Sequence, residues 1–137
     1  MRDDVQRVID AVSAWDGVVA QAHQFGGVEF VLGKIEVGHV HVDSGLVDIP
    51  FTRRTREALV ETDAAELHHI LPESGWISYW MNGASDAEHA VKLYRLSYLH
   101  KRYRREPEKR AAELAGLAFA PAVLASVSGD VQEAETE

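Results

Sequence analysis

Apolar positions near the start of the chain recur with a helical period. Val5, Val8, Ile9, Val12 and Trp15 share one face, behind Asp3 or Asp4 as a cap and ahead of the stop signal Asp16-Gly17. The pattern predicts a helix from about Asp4 to Ala14. From Val18 the period shortens. Four runs rich in β-branched and aromatic residues follow, Val18–Phe25, Val28–Leu32, Ile35–Val42 and Leu46–Ile49. They are parted by Gly26-Gly27, Gly33-Lys34 and Asp43-Ser44-Gly45, and Pro50 closes the set. Connections this short predict an antiparallel meander, because parallel neighbours need long crossovers.

Thr52 to Glu61 reads as a short helix capped by Thr52, and Leu67–Leu71 with Trp76–Met81 predicts another hairpin around Pro72-Glu73-Ser74-Gly75. Ser85-Asp86-Ala87-Glu88 has the form of a capping box, with Ser85 as N-cap. Behind it Ala87, Val91, Tyr94 and Tyr98 line a helix face that Ala90, Leu93 and Leu96 widen, as far as about Tyr103. Pro107 suits the first turn of a further helix, which Ala111–Ala118 continues and Pro121 interrupts. Ala122–Val127 is a short apolar segment expected to dock on the body or on a partner. The sum is a two-layer α+β fold. A mostly antiparallel sheet is packed by an N-terminal helix and a long C-terminal helix, with one short helix inserted between strands. Residues 1–127 read as one domain, with 104–127 as a helical extension. Residues 128–137 read as an acidic, disordered tail.

Composition alters this picture little. The 137 residues are 46% hydrophobic and 26% charged, which suits one core. No run approaches the ~20 apolar residues of a membrane span. Met1-Arg2-Asp3-Asp4 is acidic where a secretory signal would be basic, so cytoplasm is the expected location and no membrane partner is expected. The absence of cysteine excludes a disulfide framework and a thiolate zinc site. A net charge of −8 argues against nucleic acid as a partner. The basic stretch Lys101, Arg102, Arg104, Arg105, Lys109 and Arg110 reads as a solvated helix end.

Candidate chemistry concentrates in three places. His39, His41 and Asp43 alternate along a predicted strand, so their side chains could converge on one point and hold zinc or iron. His68-His69 is a second candidate. On a strand these two rings would face opposite sides, so at most one would join His39 and His41, there to act as a general base. Arg53 and Arg54 open a helix, where their charge adds to the positive end of the dipole. A bound anion would offset that repulsion, and pairing with Asp48 or Glu57 is the competing account. Trp76 and Trp80 share one strand face and Tyr79 the other, with core packing as the default and a pocket wall as the alternative.

Several blocks together carry a family resemblance. They are Phe25-Gly26-Gly27-Val28-Glu29-Phe30, Gly38-His39-Val40-His41, Asp48-Ile49-Pro50-Phe51 with Arg53 and Arg54, His68-His69-Ile70-Leu71-Pro72-Glu73-Ser74-Gly75-Trp76, and Leu93-Tyr94-Arg95-Leu96-Ser97-Tyr98. In this order, over about residues 15–98, the chain resembles the luciferase-domain family, which includes the light-emitting oxygenases of fungi. The resemblance implies chemistry like theirs, in which a hydroxylated pyrone is oxidised by molecular oxygen without a recognised metal or organic cofactor. Those enzymes carry an N-terminal membrane-like segment with no counterpart in this sequence, so neither their membrane association nor their substrate is expected. The expectation is a small-molecule-binding protein for an anionic or phenolic aromatic ligand, in its enzymatic form a cofactor-independent oxygenase. His39 and His69 would be catalytic, with His41, Arg53, Arg54, His68 and Trp76 on the substrate. Two alternatives stand beside it. One is a non-catalytic ligand-binding or interaction module, of which a homodimer is one form. The other is a metal enzyme built on His39, His41 and Asp43.

Overall fold

The computed structural model describes residues 1–23 and 26–128. Helix α1 (Asp3–Ser13) leads into strands β1 (Val18–His23), β2 (Gly27–Leu32), β3 (Ile35–His41) and β4 (Leu46–Pro50). Helix α2 (Arg53–Glu61), the two-residue strand β5 (Glu66–Leu67) and strand β6 (Trp76–Trp80) follow. Helices α3 (Ala84–Arg102), α4 (Pro107–Leu114) and α5 (Pro121–Ser128) end the described chain. The strands form one antiparallel sheet in the order β1-β2-β3-β4-β6-β5. The α+β architecture is as expected, whereas Phe25 and the acidic tail beyond Ser128 lie outside the described residues. None of the described helices is long and apolar enough to cross a membrane.

Alternation along the strands gives the sheet two unlike faces. Val40, Val47, Ile49 and Ile77 are fully buried with Val5, Val8 and Val12 of α1 and Ala87, Ala90, Leu93, Tyr94 and Leu96 of α3. Burying each large apolar side chain contributes about 1.5–3 kcal/mol, and this face supplies most of the core. The register opposes His39 to Asp48 and Asp48 to Ser78, so one polar residue from each of three neighbouring strands meets in a row on the other face.

An irregularity in β3 re-aims this row. Phe30 pairs with Gly38 but Val31 pairs with Glu36, so Val37 is an additional residue. The shift brings Glu36 and His39 onto one side although they are three apart. Helix α3 takes up the carbonyls there: Ser97 Oγ donates to Val37 O and Tyr94 Oη to His39 O, both at 2.8 Å. A Cβ on Gly38 would stand 2.8 Å from the Tyr94 ring and 3.1 Å from Asp48 O, so the approach of α3 requires glycine.

Local departures from expectation have local causes. Thr52 caps α2 as predicted, accepting from Thr55 N. The cap of α1 is Arg2 rather than Asp3 or Asp4; the Asp4 carboxylate instead binds the Arg2 guanidinium, Val5 N and Gly83 N. No capping box forms at Ser85. Helix α3 begins two residues earlier, at Ala84 behind Gly83, and Asp86 accepts from Asn82 N and Tyr79 Oη. The predicted strand Leu67–Leu71 stops at Leu67, because His68 Nδ1 accepts the amides of Ile70 and Leu71 and turns the chain out of the sheet. The basic stretch is not solvated throughout. Lys101 Nζ donates to Pro50 O and Ser97 Oγ, and Arg110, 3% exposed, donates to the carbonyls of Tyr103, Arg104 and Ser128. Helix α5 docks on the body, where Ser126 Oγ meets Thr55 Oγ1 and Val123 and Val127 are buried.

Candidate functional site

The polar row opens into a cavity of about 290 Å³ lined by His23, His39, His41, Asp48, His68, His69, Ile70, Leu71 and Trp76. Five of the seven histidines of the chain therefore meet at one place. Scattered surface or core histidines would not produce that. At the centre lies Asp48, with its side chain 1% exposed. Its Oδ2 stands 2.9 Å from His41 Nε2 and 3.4 Å from both His39 Nε2 and His69 Nε2. Its Oδ1 accepts from Ser78 Oγ at 2.7 Å and lies 3.5 Å from His68 Nε2.

Protonation follows from these partners. Burial works against the charge of Asp48, but hydrogen bonds from His39, Ser78 and His41 outweigh it and hold its pKa well below the usual carboxylate range. His39 is also buried, which alone would lower its pKa. Its nitrogens face Asp48 and, at 2.7 Å through Nδ1, Glu36, and these carboxylates raise it to about 9. At neutral pH it is an imidazolium. His68 is the opposite case. Burial lowers its pKa, helped by the charge of the neighbouring histidines against the pull of Asp48. Since its Nδ1 accepts two backbone amides, the proton of the neutral ring sits on Nε2, toward Asp48.

The walls are aromatic and aliphatic. Trp76 lies 5.4 Å from the His39 ring and 5.9 Å from that of His68, and His23 stacks on His39 at 4.3 Å. Ile70 and Leu71, 70% and 52% exposed, stand at the rim. The sheet face of Trp76 and Trp80 is thus not core; Trp80 is 49% exposed, with its ring 6.3 Å from His69.

Several expected residues come together and others do not. His39, His41, His68, His69 and Trp76 share the cavity. Both residues of the His68-His69 pair reach it, because strand alternation ends at Leu67 before it can separate them. Asp43 is absent from the cavity. Strand β3 ends at His41, so Asp43 falls in the exposed turn, and the nearby carboxylate is Asp48 of β4. Asp48 pairs with histidines rather than with Arg53 or Arg54. Neither arginine lines the cavity; Arg53 borders a separate groove with Arg56, Leu67, Pro72 and Glu73. Sequence reasoning missed His23, Glu36, Ser78 and the central role of Asp48. The available signal was a carboxylate inside the otherwise apolar run Leu46-Val47-Asp48-Ile49.

Residues 34–97 match the family model of the luciferase domain. The resemblance read from the sequence is thereby shown over that segment, which starts later than the expected Trp15 and includes every cavity residue except His23. No curated protein and no solved structure matches this chain.

Proposed function

We propose that the cavity around Asp48 binds a small anionic or phenolic aromatic compound and removes a proton from it, so that the resulting anion can react with molecular oxygen. The observation that carries this reading is the convergence of five histidines and one anionic aspartate on an open cavity walled by an indole. Trp76 offers a flat apolar surface to a ring, and the His39 imidazolium offers a cation to its developing negative charge. His69, with its side chain 32% exposed, is the proton acceptor nearest the mouth, and Asp48 orients it through Nε2. The match to the luciferase domain supports oxygen as co-substrate. The Arg53 groove is not required, because His39 supplies the positive charge.

The test is a titration of hydroxylated pyrones and hydroxybenzoates followed by tryptophan fluorescence, with oxygen uptake recorded in parallel. Saturable quenching is expected in the wild type, and Trp76→Ala should weaken it at least tenfold, which corresponds to about 1.4 kcal/mol. His69→Gln should retain binding within a few-fold and lose oxygen uptake. Binding without oxygen uptake in the wild type would leave a ligand-binding module. Absence of saturable binding across both series would contradict the reading.

A further inference from the structure

We infer that His39 Nε2, His41 Nε2 and Asp48 Oδ2 are the ligands of a divalent first-row transition-metal ion, with Glu36, Ser78 and His68 as the outer groups that aim them. The inference rests on the cavity being the functional site and names the cation that the site holds.

The first argument is geometric. One ligand atom each from His39, His41 and Asp48 lies within 4.8 Å of the others. Ligands about 2.0–2.2 Å from an ion stand roughly 3 Å or a little more apart around it, which is the scale of the 2.9 and 3.4 Å separations here. Hydrogen bonding accounts for the arrangement less well. Oδ2 has three imidazole nitrogens around it but only two lone pairs, and two of the three lie at 3.4 Å, beyond the ~2.7–3.2 Å of good N–H···O bonds. An ion held by His39, His41 and Asp48 takes a lone pair from each, and of the three nitrogens only that of His69 stays outside.

The second argument concerns the surrounding shell, which sorts ligands from supports. Metal-bound histidines commonly give their other N–H to a carboxylate, and bound carboxylates are themselves hydrogen-bonded. Glu36 Oε2 at 2.7 Å from His39 Nδ1 holds the proton on that side and turns the Nε2 lone pair inward. Ser78 Oγ donates to Oδ1 of Asp48 at 2.7 Å, with His68 Nε2 on the same side at 3.5 Å, which leaves Oδ2 as the free donor. His68 cannot itself be a ligand in this state. Its Nδ1 is engaged by two amides, so Nε2 carries the hydrogen. His69 approaches Oδ2 but shares no ligand-distance cluster with His39 or His41, and so stays free to act on a molecule bound at the ion.

Two imidazoles and one carboxylate suit iron(II) or zinc(II), whereas magnesium and calcium prefer shells made of oxygen. Three protein ligands leave coordination positions open toward the cavity. An enolate, phenolate or carboxylate oxygen fits there, with its ring against Trp76. The ion then supplies the positive charge that the His39 proton supplies without it.

The experiment uses the full chain, stripped with chelator and titrated with cobalt(II) and zinc(II). Visible absorption reports cobalt, and elemental analysis after desalting reports both ions. One equivalent is expected, with cobalt bands of a nitrogen–oxygen site. His41→Ala and Asp48→Ala should each weaken binding at least 100-fold. Glu36→Gln, a milder change made outside the ligand set, should weaken it by about 10–100-fold. Asp43→Ala should leave it unchanged. Binding below a fifth of an equivalent in the wild type, or binding indifferent to His41→Ala and Glu36→Gln, would overturn the inference. The aromatic-ligand titration, repeated on stripped protein, separates the two readings. Saturable quenching without metal uptake sinks the ion and leaves the proposed function, whereas metal uptake without aromatic binding does the reverse.

Discussion

The two faces of β3, β4 and β6 are made from alternate residues of the same strands, yet their contents are opposite. One face presents Val40, Val47, Ile49 and Ile77 to α1 and α3, all fully buried. The other presents His39, His41, Asp48 and Trp76, which border a cavity, and Ser78, which donates to Asp48. The first face lowers the free energy of the fold by removing apolar surface from water. The second gathers imidazoles around a buried charge, an arrangement that adds desolvation cost and that hydrophobic burial does not explain. Folding and chemistry are thus divided between faces one residue apart. Neighbouring substitutions should therefore fail in different ways.

The largest expected effect is on the inner face. Ile77→Ala should cost about 2–5 kcal/mol in chemical denaturation, through lost burial and the cavity left behind. Its folded fraction should still bind cobalt. A loss near zero would mean that this face is not the core described.

Next comes the pH dependence set by the outer face, measured on chelator-treated protein. His39 is raised from 6.5 to about 9, so its contribution is fully present below pH ~6.5 and is lost as pH climbs to about 9. The full swing is on the order of 3 kcal/mol. Asp48 acts with the opposite sign. Its contribution is present above its ordinary value of 3.8 and disappears as pH falls below it. Denaturation midpoints should peak between these limits, and His39→Gln should abolish the alkaline limb while only weakening the acid one, since Ser78 and His41 still hold Asp48 down. An alkaline limb that survives this substitution would assign it to another group.

A smaller effect joins the faces. Tyr94→Phe removes the buried hydrogen bond to His39 O and should cost about 0.5–1.5 kcal/mol, with some loosening of the site. Smallest of all is Asp43→Ala. In an exposed turn, it should change stability by less than ~0.5 kcal/mol and metal uptake not at all. Loss of metal in that variant would restore the strand-alternation reading of His39, His41 and Asp43.

Much of the fold was legible in the sequence because hydrophobic period and turn residues are local signals. The meander, the Thr52 cap and the start of α4 at Pro107 follow from residues within a few positions of one another. The site was legible only in part. His39 and His41 share a face through simple alternation, which a single strand encodes. The alignment of Asp48 with His39 and Ser78 depends on register between strands, set by a turn and by an extra residue at Val37 that no local pattern announces. The His68-His69 pair was misread because its own Nδ1 captures two amides and ends the strand. Arg53 and Arg54 looked chemical for a dipole argument; both lie in the first turn of α2, and neither lines the cavity of the histidines.

The central claim is that ligands bind on the open face, at Asp48. The most direct test is a histidine side-chain nitrogen–proton NMR correlation, recorded with and without a hydroxylated aromatic acid. His89, bonded to Ala64 O, and His100, whose pKa burial lowers to about 4, lie outside the cavity and serve as internal references. The account predicts that His39, His41, His68, His69 and the Trp76 indole shift together while His89 and His100 stay still. Shifts confined to the backbone around Arg53 and Arg56, with the cavity histidines unmoved, would contradict it.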